Sequence, residues 1–407
     1  MAQRFAAALA LLRGGTHHLN VDCAHGVGGI AVTSLAANLH LELIKPTYPA
    51  DSPRVCLHTF NTLSHDKHLL NNKCGADFVK HHEVPVDALA SLLQLYGLRP
   101  QLTPSSDDRL AFTGPSNERW ASIDGDADRL IYFYPDPAKG AAERVELIDG
   151  DRMAVLFASF IIQELKRQTP VPSLRLGVVQ TAYSNSAATG YLQRDLGVEV
   201  AFAKTGVKHL HKAAKSFDFG IYFEANGHGT ILLSEAAEDF LSGLPSDSLL
   251  RSFFSLVNTA VGDALADLLL VEFVLAARQL SLRDWRAMYE VLPSRQLKVA
   301  VADRYVIKVS EDEFHTLQPD GIQAAIDTLV TKADSVAGQA GSSRAFIRPS
   351  GTEDTVRVYA ESTTQSLADW LAQSVAQLVH NRLGGCGPTP ADPGPLPTSP
   401  LVPPVSA

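Results

Sequence analysis

The chain has 407 residues, of which 45% are hydrophobic and 19% charged, values ordinary for a globular protein of two or three domains. The net charge of −9 offers no basic surface for nucleic acid, so an anionic ligand would need local cations. Four cysteines do not make a disulfide scaffold in a chain this long, and no apolar run approaches a membrane span. We therefore expect a cytoplasmic protein without a nucleic-acid or membrane partner.

The first predicted domain covers residues 1–148. Its apolar start is not followed by a small-x-small cleavage site, which indicates a helix rather than a signal peptide. The pattern then predicts strands at 18–24 and 40–45, a strand-like approach to the sheet at 71–80, helices at 30–39 and 86–95, and a polar loop at 100–117. A hairpin of residues 130–134 and 144–148 closes this domain.

The second predicted domain covers residues 149–280. Asp149 is a candidate N-cap for a buried helix at 153–166, and Ser184 or Asn185 can cap the next helix. Short strands are predicted at 176–180, 199–203, 218–223 and 231–234, with a basic helix after residue 204 and further helices up to residue 279.

A smaller third domain, residues 281–385, is predicted to be α+β. It has strands at 296–301, 345–347 and 355–360 and helices at 321–329 and 366–383. The tail, residues 386–407, is rich in Pro, Gly and Ser with almost no charge, and is predicted to be disordered. The predicted fold class is α/β, with two βα-rich domains followed by the smaller α+β domain.

Three aspartates alternate in Asp124-Gly125-Asp126-Ala127-Asp128-Arg129, between two apolar segments. Such a tight, oxygen-rich loop suits a hard cation such as Mg²⁺, and Arg129 can grip a phosphate. A calcium EF-hand is excluded, because it requires Gly and Glu where Arg129 and Pro135 stand. The alternative is a plain Asp/Gly turn, but three alternating acids favour metal binding.

Residues 224–230, Glu-Ala-Asn-Gly-His-Gly-Thr, leave the end of a predicted strand. Ligands of open α/β sheets bind at the carboxyl ends of strands. Glu224 can accept hydrogen bonds from sugar hydroxyls, and Asn226 can both donate and accept. A glycine-rich hairpin with incidental polar groups explains the pattern equally well.

Residues 348–354, Arg-Pro-Ser-Gly-Thr-Glu-Asp, connect two predicted strands. Ser350, Gly351 and Thr352 offer amides and hydroxyls in a compact turn that can hold an anion. Arg348 and Arg357 supply charge and can bind phosphate through two hydrogen bonds. These features favour phosphate binding over an ordinary connecting turn.

Two other groups are weaker candidates. Lys204 and Lys208 flank a Thr-Gly pair at a strand end, where they could grip phosphate or assist proton transfer. Several histidines lack converging acids and are not predicted to bind metal: His17, His18, His81, His82, His209 and His211.

These motifs resemble those of the phosphoacetylglucosamine mutases, a branch of the α-D-phosphohexomutases. The resemblance runs from about residue 19 to 383 and is most specific at 124–129, 205–211, 224–230 and 348–357. Asn-Gly-His-Gly at 226–229 resembles the acetylamino-sugar branch, since the phosphoglucomutase branch usually has Glu-x-Ser-Gly-His.

The resemblance implies a reaction and a set of site residues. Family members interconvert N-acetylglucosamine 6-phosphate and 1-phosphate through N-acetylglucosamine 1,6-bisphosphate, on the route to UDP-N-acetylglucosamine. At the matching positions Asp124, Asp126 and Asp128 would hold Mg²⁺, with Arg129 and Lys208 in supporting roles. The substrate would contact two sets of residues: Glu224, Ala225, Asn226 and His228, and Arg348, Pro349, Ser350, Gly351, Thr352 and Arg357.

One family feature is missing from this sequence. In the family, a first domain carries a phosphoserine in a Thr-Ala-Ser-His-Asn-Pro loop; it donates the phosphoryl group and completes the magnesium shell. This chain begins where the family's second domain begins, and its nearest string, Ser64-His65-Asp66, lacks the Asn-Pro. We therefore expect no nucleophile here and no activity from the chain alone.

Two hypotheses follow. The chain is either a mutase whose N-terminal domain lies outside this sequence, or a non-catalytic sugar-phosphate-binding or interaction protein of the same family. A phosphatase with an aspartate nucleophile is disfavoured, because it explains neither the loop at Glu224 nor the loop at Arg348.

Overall fold

The computed structural model describes residues 1–82, 118–135 and 145–398. The chain divides into two compact units. Unit 1 comprises Met1–Gln180, Gly190–Ala201 and Gly206–Tyr289, and unit 2 comprises Thr181–Thr189, Phe202–Thr205 and Glu290–Ala407. Among the described residues, no helix is long and apolar enough to cross a membrane.

The strands, in chain order, are β1 (Thr16–Asp22), β2 (Arg54–Phe60), β3 (Glu118–Ile123), β4 (Leu130–Pro135), β5 (Val145–Ile148), β6 (Leu176–Gln180), β7 (Glu199–Phe202), β8 (Phe219–Phe223), β9 (Gly229–Leu233), β10 (Ser294–Ala300), β11 (Lys308–Val309), β12 (Thr316–Gln318), β13 (Arg344–Pro349) and β14 (Thr355–Glu361). They form mixed sheets with helices around them, which confirms the predicted α/β class.

The α-helices are α1 (Ala2–Leu9), α2 (Gly28–Leu43), α3 (Ala76–His82), α4 (Gly150–Lys166), α5 (Ser186–Gly190), α6 (Val207–Ala214), α7 (Glu235–Gly243), α8 (Leu249–Phe254), α9 (Ala264–Arg278), α10 (Leu282–Arg286), α11 (Ile322–Ala337) and α12 (Gln365–Arg382). A π-helical segment follows α5 at Tyr191–Asp195, and a 3₁₀ turn lies at Arg304–Val306.

The described residues of unit 1 form two sheets. The first has the order β2-β1-β3-β4-β5, with β2, β1 and β3 parallel and the last two strands antiparallel. The second has the order β7-β6-β8-β9. Helix α4 is buried along most of its length, and Asp149 caps it by accepting a hydrogen bond from the Arg152 amide at 3.4 Å. The predicted N-cap is confirmed.

Two strand predictions in the first sheet are wrong. Residues 40–43 continue α2, because its buried Val32, Leu35, Leu39 and Leu43 recur every three or four residues. A strand would bury Leu41 on the same face as Leu39 and Leu43, but Leu41 is exposed. The stretch 71–80 turns into α3, which buries Ala76 and Val79. The second strand is Arg54–Phe60 instead. The helix predicted at 86–95 and the loop at 100–117 lie outside the described residues.

Unit 2 contains a three-stranded antiparallel sheet in the order β10-β14-β13 and the small hairpin β11-β12. One face of the larger sheet is apolar and packs with α11 and α12 in one core, which includes Val299, Ile347, Val358 and Val375. Side chains alternate across a strand, so the neighbouring Arg348, Arg357 and Lys298 belong to the opposite face.

The start of the tail is not free of contacts. The Cys386 amide donates to the Ala300 carbonyl at 2.9 Å, the Gln377 side chain donates to the Ala391 carbonyl at 3.2 Å, and Leu396 packs against the core. The described part of the tail therefore differs from the disordered segment predicted from residue 386. Residues 399–407 lie outside the described range.

Candidate functional site

The six residues 124–129 connect β3 to β4, whose register pairs Ile123 with Leu130. The structure brings the three predicted metal ligands together: one carboxylate oxygen from each of Asp124, Asp126 and Asp128 lies within 4.8 Å of the other two. Asp124 is buried, Asp128 is half-buried and Asp126 is exposed. Among the described residues, this is the one cluster of three or more His, Cys, Asp or Glu side chains close enough to share a metal ion.

Asp124 organises this metal loop through its own side chain. Its Oδ1 accepts hydrogen bonds from the backbone amides of Asp128 at 3.0 Å and Arg129 at 3.1 Å. Ala127 has a φ of 63°, in the left-handed region that non-glycine residues seldom adopt. The chain therefore curls around Asp124, and the alternate aspartates converge on one side.

The electrostatics of the metal loop favour a bound cation. Burial raises the pKa of Asp124 to about 7, and the charge of Asp128 contributes to the increase. The buried Oδ1 of Asp128 has no hydrogen-bond partner in the described structure. An oxygen-only donor set with a buried carboxylate oxygen that accepts no hydrogen bond fits Mg²⁺, which prefers hard oxygen ligands.

Arg129 lies beside these carboxylates. Its Nε is 3.5 Å from Oδ2 of Asp124 and 3.7 Å from Oδ1 of Asp128, and its Nη1 forms an ion pair with Asp77. The arginine is therefore held at the metal loop, and its supporting role stays a prediction.

The sequence analysis missed Asp22, at the end of β1. This fully buried carboxylate accepts hydrogen bonds from the Ser122 hydroxyl at 2.7 Å, the Gly75 amide at 2.7 Å, the Asn61 side chain at 3.0 Å and the Ala24 amide at 3.1 Å. It fixes the end of β3 just before the metal loop. The signal that could have found it is the single acid of the strand predicted at 18–24, just before the glycine turn.

The glycine turn after β1 supports the metal loop from another side. The Val27 amide donates to the Gly125 carbonyl at 3.0 Å, and the Gly125 amide donates to Oδ1 of Asn71 at 3.0 Å. A Cβ on Gly26 would lie 2.1 Å from the Gly125 carbonyl oxygen. Only a glycine permits this close approach.

Residues 224–228 connect β8 to β9 as a tight hairpin that we call the sugar loop. The Glu224 amide donates to the His228 carbonyl at 2.8 Å. Gly227 has a φ of 89°, and a Cβ there would lie 2.0 Å from the Leu130 carbonyl oxygen. The Leu130 amide donates to the Gly227 carbonyl at 3.2 Å, so the sugar loop packs directly against the end of the metal loop.

Side chains of the sugar loop extend these contacts. Nδ1 of His228 lies 3.0 Å from Oδ2 of Asp128. Oε1 of Glu224 accepts from the Gly206 amide at 3.0 Å, just before the helix that carries the exposed Lys208. Asn226 accepts from the His228 amide at 3.1 Å. The structure therefore gathers Glu224 and His228 near the metal loop, with Ala225 half-buried between them in sequence.

The turn between β13 and β14, in unit 2, is the candidate phosphate loop. The Ser350 amide donates to the Thr355 carbonyl at 2.8 Å, and the Thr352 amide donates to Oγ of Ser350 at 3.4 Å. A Cβ on Gly351 would meet no atom within 4 Å, so an approaching ligand meets open space there. Pro349 pairs with Val356 at the root of the turn.

Three cations lie in one row across the sheet behind this turn. Arg348 is opposite Arg357 in the register, and Arg357 is opposite Lys298, so all three side chains share one face. Like charges directly opposite each other destabilise a sheet. Glu313 pairs with Arg348 and Glu353 pairs with Lys298, and an anion bound over the row would offset the remaining repulsion. The sequence analysis did not identify Lys298.

Ser64 has a local structural role. Its hydroxyl accepts a hydrogen bond from the Asp66 amide at 3.1 Å, and Oδ1 of Asp66 accepts from the His68 amide at 2.9 Å. These are the contacts of a surface turn.

His18, one of the histidines not predicted to bind metal, contacts His58, with 3.0 Å between Nδ1 of His18 and Nε2 of His58.

The class of protein follows from the fold together with these loops. Residues 297–378 match the family model for the phosphoglucomutase/phosphomannomutase C-terminal domain. A solved N-acetylglucosamine-phosphate mutase in its substrate complex, described as a member of the α-D-phosphohexomutase superfamily, matches with a TM-score of 0.76 and 34% identity, over 93% of this chain and 64% of that one. The fold is that of an α-D-phosphohexomutase.

More specific comparisons identify the family. Residues 149–280 match the model for phosphoacetylglucosamine mutase AMG1, domain III. The phosphoacetylglucosamine mutase of Sus scrofa is 42% identical over 381 residues, which are 91% of this chain and 61% of the pig protein. The crystal structure of Aspergillus fumigatus N-acetylphosphoglucosamine mutase with GlcNAc-6P and magnesium matches with a TM-score of 0.75 and 37% identity, over 93% of this chain and 69% of that one.

The chain belongs to the phosphoacetylglucosamine mutase family. It spans about 61% of the length of the curated pig relative. The predicted domain boundaries and the roles of the individual site residues stay predictions.

Proposed function

We propose that this chain binds N-acetylglucosamine 6-phosphate and 1-phosphate together with Mg²⁺ and supplies the metal, sugar and phosphate contacts for their interconversion. The observation that carries the proposal is the convergence of Asp124, Asp126 and Asp128 directly beside the sugar loop in unit 1. The Aspergillus relative was solved with this sugar phosphate and magnesium, which supports the choice of ligands.

Each loop has a distinct role in the proposal. Asp124, Asp126 and Asp128 hold Mg²⁺, which when bound would stabilise negative charge on the transferring phosphoryl group. The Glu224 carboxylate accepts hydrogen bonds from sugar hydroxyls, with Ala225, Asn226 and His228 around it. In unit 2 the non-reacting phosphate is held by the following residues: Arg348, Pro349, Ser350, Gly351, Thr352 and Arg357.

The proposed reaction has two phosphoryl transfers. In the first, a phosphorylated donor transfers its phosphoryl group to the free hydroxyl of the sugar phosphate, which loses its proton, and N-acetylglucosamine 1,6-bisphosphate forms. In the second, the other phosphoryl group passes back to the donor and leaves the isomeric monophosphate. Arg129 would neutralise negative charge on the substrate near the metal loop. Lys208 would do the same near Glu224. We propose a place in UDP-N-acetylglucosamine synthesis, and the cytoplasmic location stays a prediction.

The phosphoryl donor distinguishes the two hypotheses about activity. The printed sequence contains no Ser-His-Asn-Pro string, so we propose that this chain alone binds substrate without turning it over. The alternative is a binding protein of the same family that has no catalytic role.

A coupled mutase assay tests the proposal. The purified chain is supplied with N-acetylglucosamine 6-phosphate, Mg²⁺ and a catalytic amount of the bisphosphate, and N-acetylglucosamine 1-phosphate is measured. We expect no turnover, but activity when the assayed chain also includes an upstream Ser-His-Asn-Pro segment encoded in the same reading frame. An upstream frame without such a segment would favour the non-catalytic alternative. Turnover by the 407-residue chain would show that it contains a phosphoryl donor of its own. Ser64 would then be the first residue to substitute in the search for that donor.

A further inference from the structure

Glu313 is a buried acid in the hairpin connection between β11 and β12 of unit 2. Glu313 is 6% exposed and has a backbone φ of 61°. The Glu313 amide donates to the Ser310 carbonyl at 3.0 Å, and Asp312 accepts from the Phe314 amide at 3.1 Å. The connection is thus a hydrogen-bonded turn that keeps the Glu313 carboxylate buried. It does so although the backbone conformation of Glu313 is costly for a non-glycine residue.

Both carboxylate oxygens of Glu313 are engaged by unit 2 residues that are distant in sequence. Oε1 accepts from Nε of Arg348 at 3.0 Å. Oε2 accepts from the Thr205 amide at 3.0 Å and from the Thr205 hydroxyl at 2.5 Å. A buried carboxylate is tolerated only when it is paired in this way, so the three residues depend on one another.

Arg348 donates to Glu313 through Nε, and its guanidinium also interacts with the Tyr183 hydroxyl, so N–H groups on the Nη atoms remain for a further partner. A guanidinium held at Nε by a buried carboxylate has less rotational freedom and keeps N–H groups for a second anion. Arg348 stands in the row of cations at the root of the phosphate loop, opposite Arg357. Fixing it before the ligand arrives reduces the conformational entropy lost on binding.

We propose that Glu313 is a positioning residue for phosphate binding. It holds the Arg348 guanidinium in a binding-competent orientation and fastens Thr205 to the same hairpin. The proposal rests on the proposed function, because it assumes that Arg348 binds the substrate's phosphate.

A double-mutant cycle tests this proposal. The affinity of the full chain for N-acetylglucosamine 6-phosphate is measured by calorimetry in the wild type, Glu313→Gln, Arg348→Ala and the double variant. If Glu313 acts through Arg348, Glu313→Gln weakens binding by about 10-fold. It weakens binding by less than about 2-fold further once Arg348 is already alanine, because the two losses are not additive.

The chain offers a closely matched control. Glu361 is also buried, and its Oε1 accepts from Nε of Arg344 at 3.0 Å, on the same strand pair as Arg348 but away from the loop. Glu361→Gln removes an equivalent ion pair and should change affinity by less than about 2-fold. Thermal unfolding of every variant separates loss of affinity from loss of folding. If Glu313→Gln does not fold, Glu313→Asp enters the same cycle.

The outcomes are distinct. Wild-type affinity in Glu313→Gln, or a full additive loss in the double variant, would overturn the role of Glu313 while leaving the proposed function standing. Failure of the wild-type chain to bind the sugar phosphate would overturn the proposed function, and with it the positioning role.

Discussion

Nδ1 of His228 lies 3.0 Å from Oδ2 of Asp128, so a side chain of the sugar loop holds a carboxylate of the metal loop. The backbones of the two loops also meet, since the Leu130 amide donates to the Gly227 carbonyl at 3.2 Å. Partners that orient metal ligands contribute to metal affinity. The sugar and metal loops are therefore expected to act as one structure.

His228→Ala should weaken Mg²⁺ binding by about 10-fold, because Asp128 loses the partner that orients it. The affinity is measured by calorimetric titration of the chain with Mg²⁺. His40→Ala is the control, since His40 is an exposed histidine at the far end of α2 from the metal loop. Equal Mg²⁺ affinity in the two variants would show that the contact with His228 does not support the metal loop.

Asp126→Asn should reduce Mg²⁺ affinity by more than about 10-fold, since a neutral amide replaces one of three carboxylate ligands. Asp126 is exposed, so the change should leave the thermal unfolding midpoint of the metal-free chain almost unaltered. The same titration checks this, with Asp247→Asn as an exposed control outside the metal loop. Undiminished affinity in Asp126→Asn would remove the metal assignment.

Arg348→Ala should weaken binding of N-acetylglucosamine 6-phosphate by about 10- to 100-fold, because a charge-assisted, bidentate contact with phosphate is lost. The variant should also lose stability, because the buried Glu313 carboxylate loses one of its partners. Affinity and thermal unfolding are compared with those of Arg382→Ala, which removes an exposed arginine at the end of α12. A loss of stability without loss of affinity would contradict the phosphate assignment.

Asp267→Asn should stabilise the protein at neutral pH. Asp267 is 1% exposed on α9, its Oδ2 has no hydrogen-bond partner in the described structure, and burial raises its pKa well above the ordinary value, with Asp263 adding to the increase. Above an unfolded pKa of about 3.9 the unfolded chain releases this proton while the folded chain keeps it, so stability falls by about 1.4 kcal/mol per pH unit until the folded pKa is reached.

The check is urea unfolding between pH 4 and pH 8. The free energy of unfolding of Asp267→Asn should decline less over this range than that of the wild type, and the two proteins should converge at the acidic end. Asp239→Asn, an exposed change on α7, should follow the wild type throughout. Parallel curves for Asp267→Asn and the wild type would mean that this carboxyl is ionised in the folded protein.

The sequence predicted best what local pattern decides. The strand Leu176–Gln180, the cap at Asp149 and the hairpin of β4 and β5 are set by short apolar runs and a cap residue. It predicted less well where burial decides. Residues 40–45 were predicted to be a strand, yet the buried Val32, Leu35, Leu39 and Leu43 follow helical spacing and carry α2 through residue 43.

Site residues divide in the same way. The alternating aspartates were recognisable because the ligands stand close together in sequence. Asp22 and Glu313 were not, because their partners are brought to them only by the tertiary structure: Ser122 in one case, and Arg348 and Thr205 in the other. Lys298 joins the row of cations only through strand register.

The proposed roles of the metal, sugar and phosphate loops all require that this chain binds an amino-sugar phosphate with the help of Mg²⁺. The most direct measurement is a calorimetric titration of the wild-type chain with N-acetylglucosamine 6-phosphate, performed in Mg²⁺ and again after chelation of divalent cations. We predict saturable binding at one site per chain that weakens by at least about 10-fold when Mg²⁺ is removed. No binding in Mg²⁺, or the same affinity after chelation, would contradict this account.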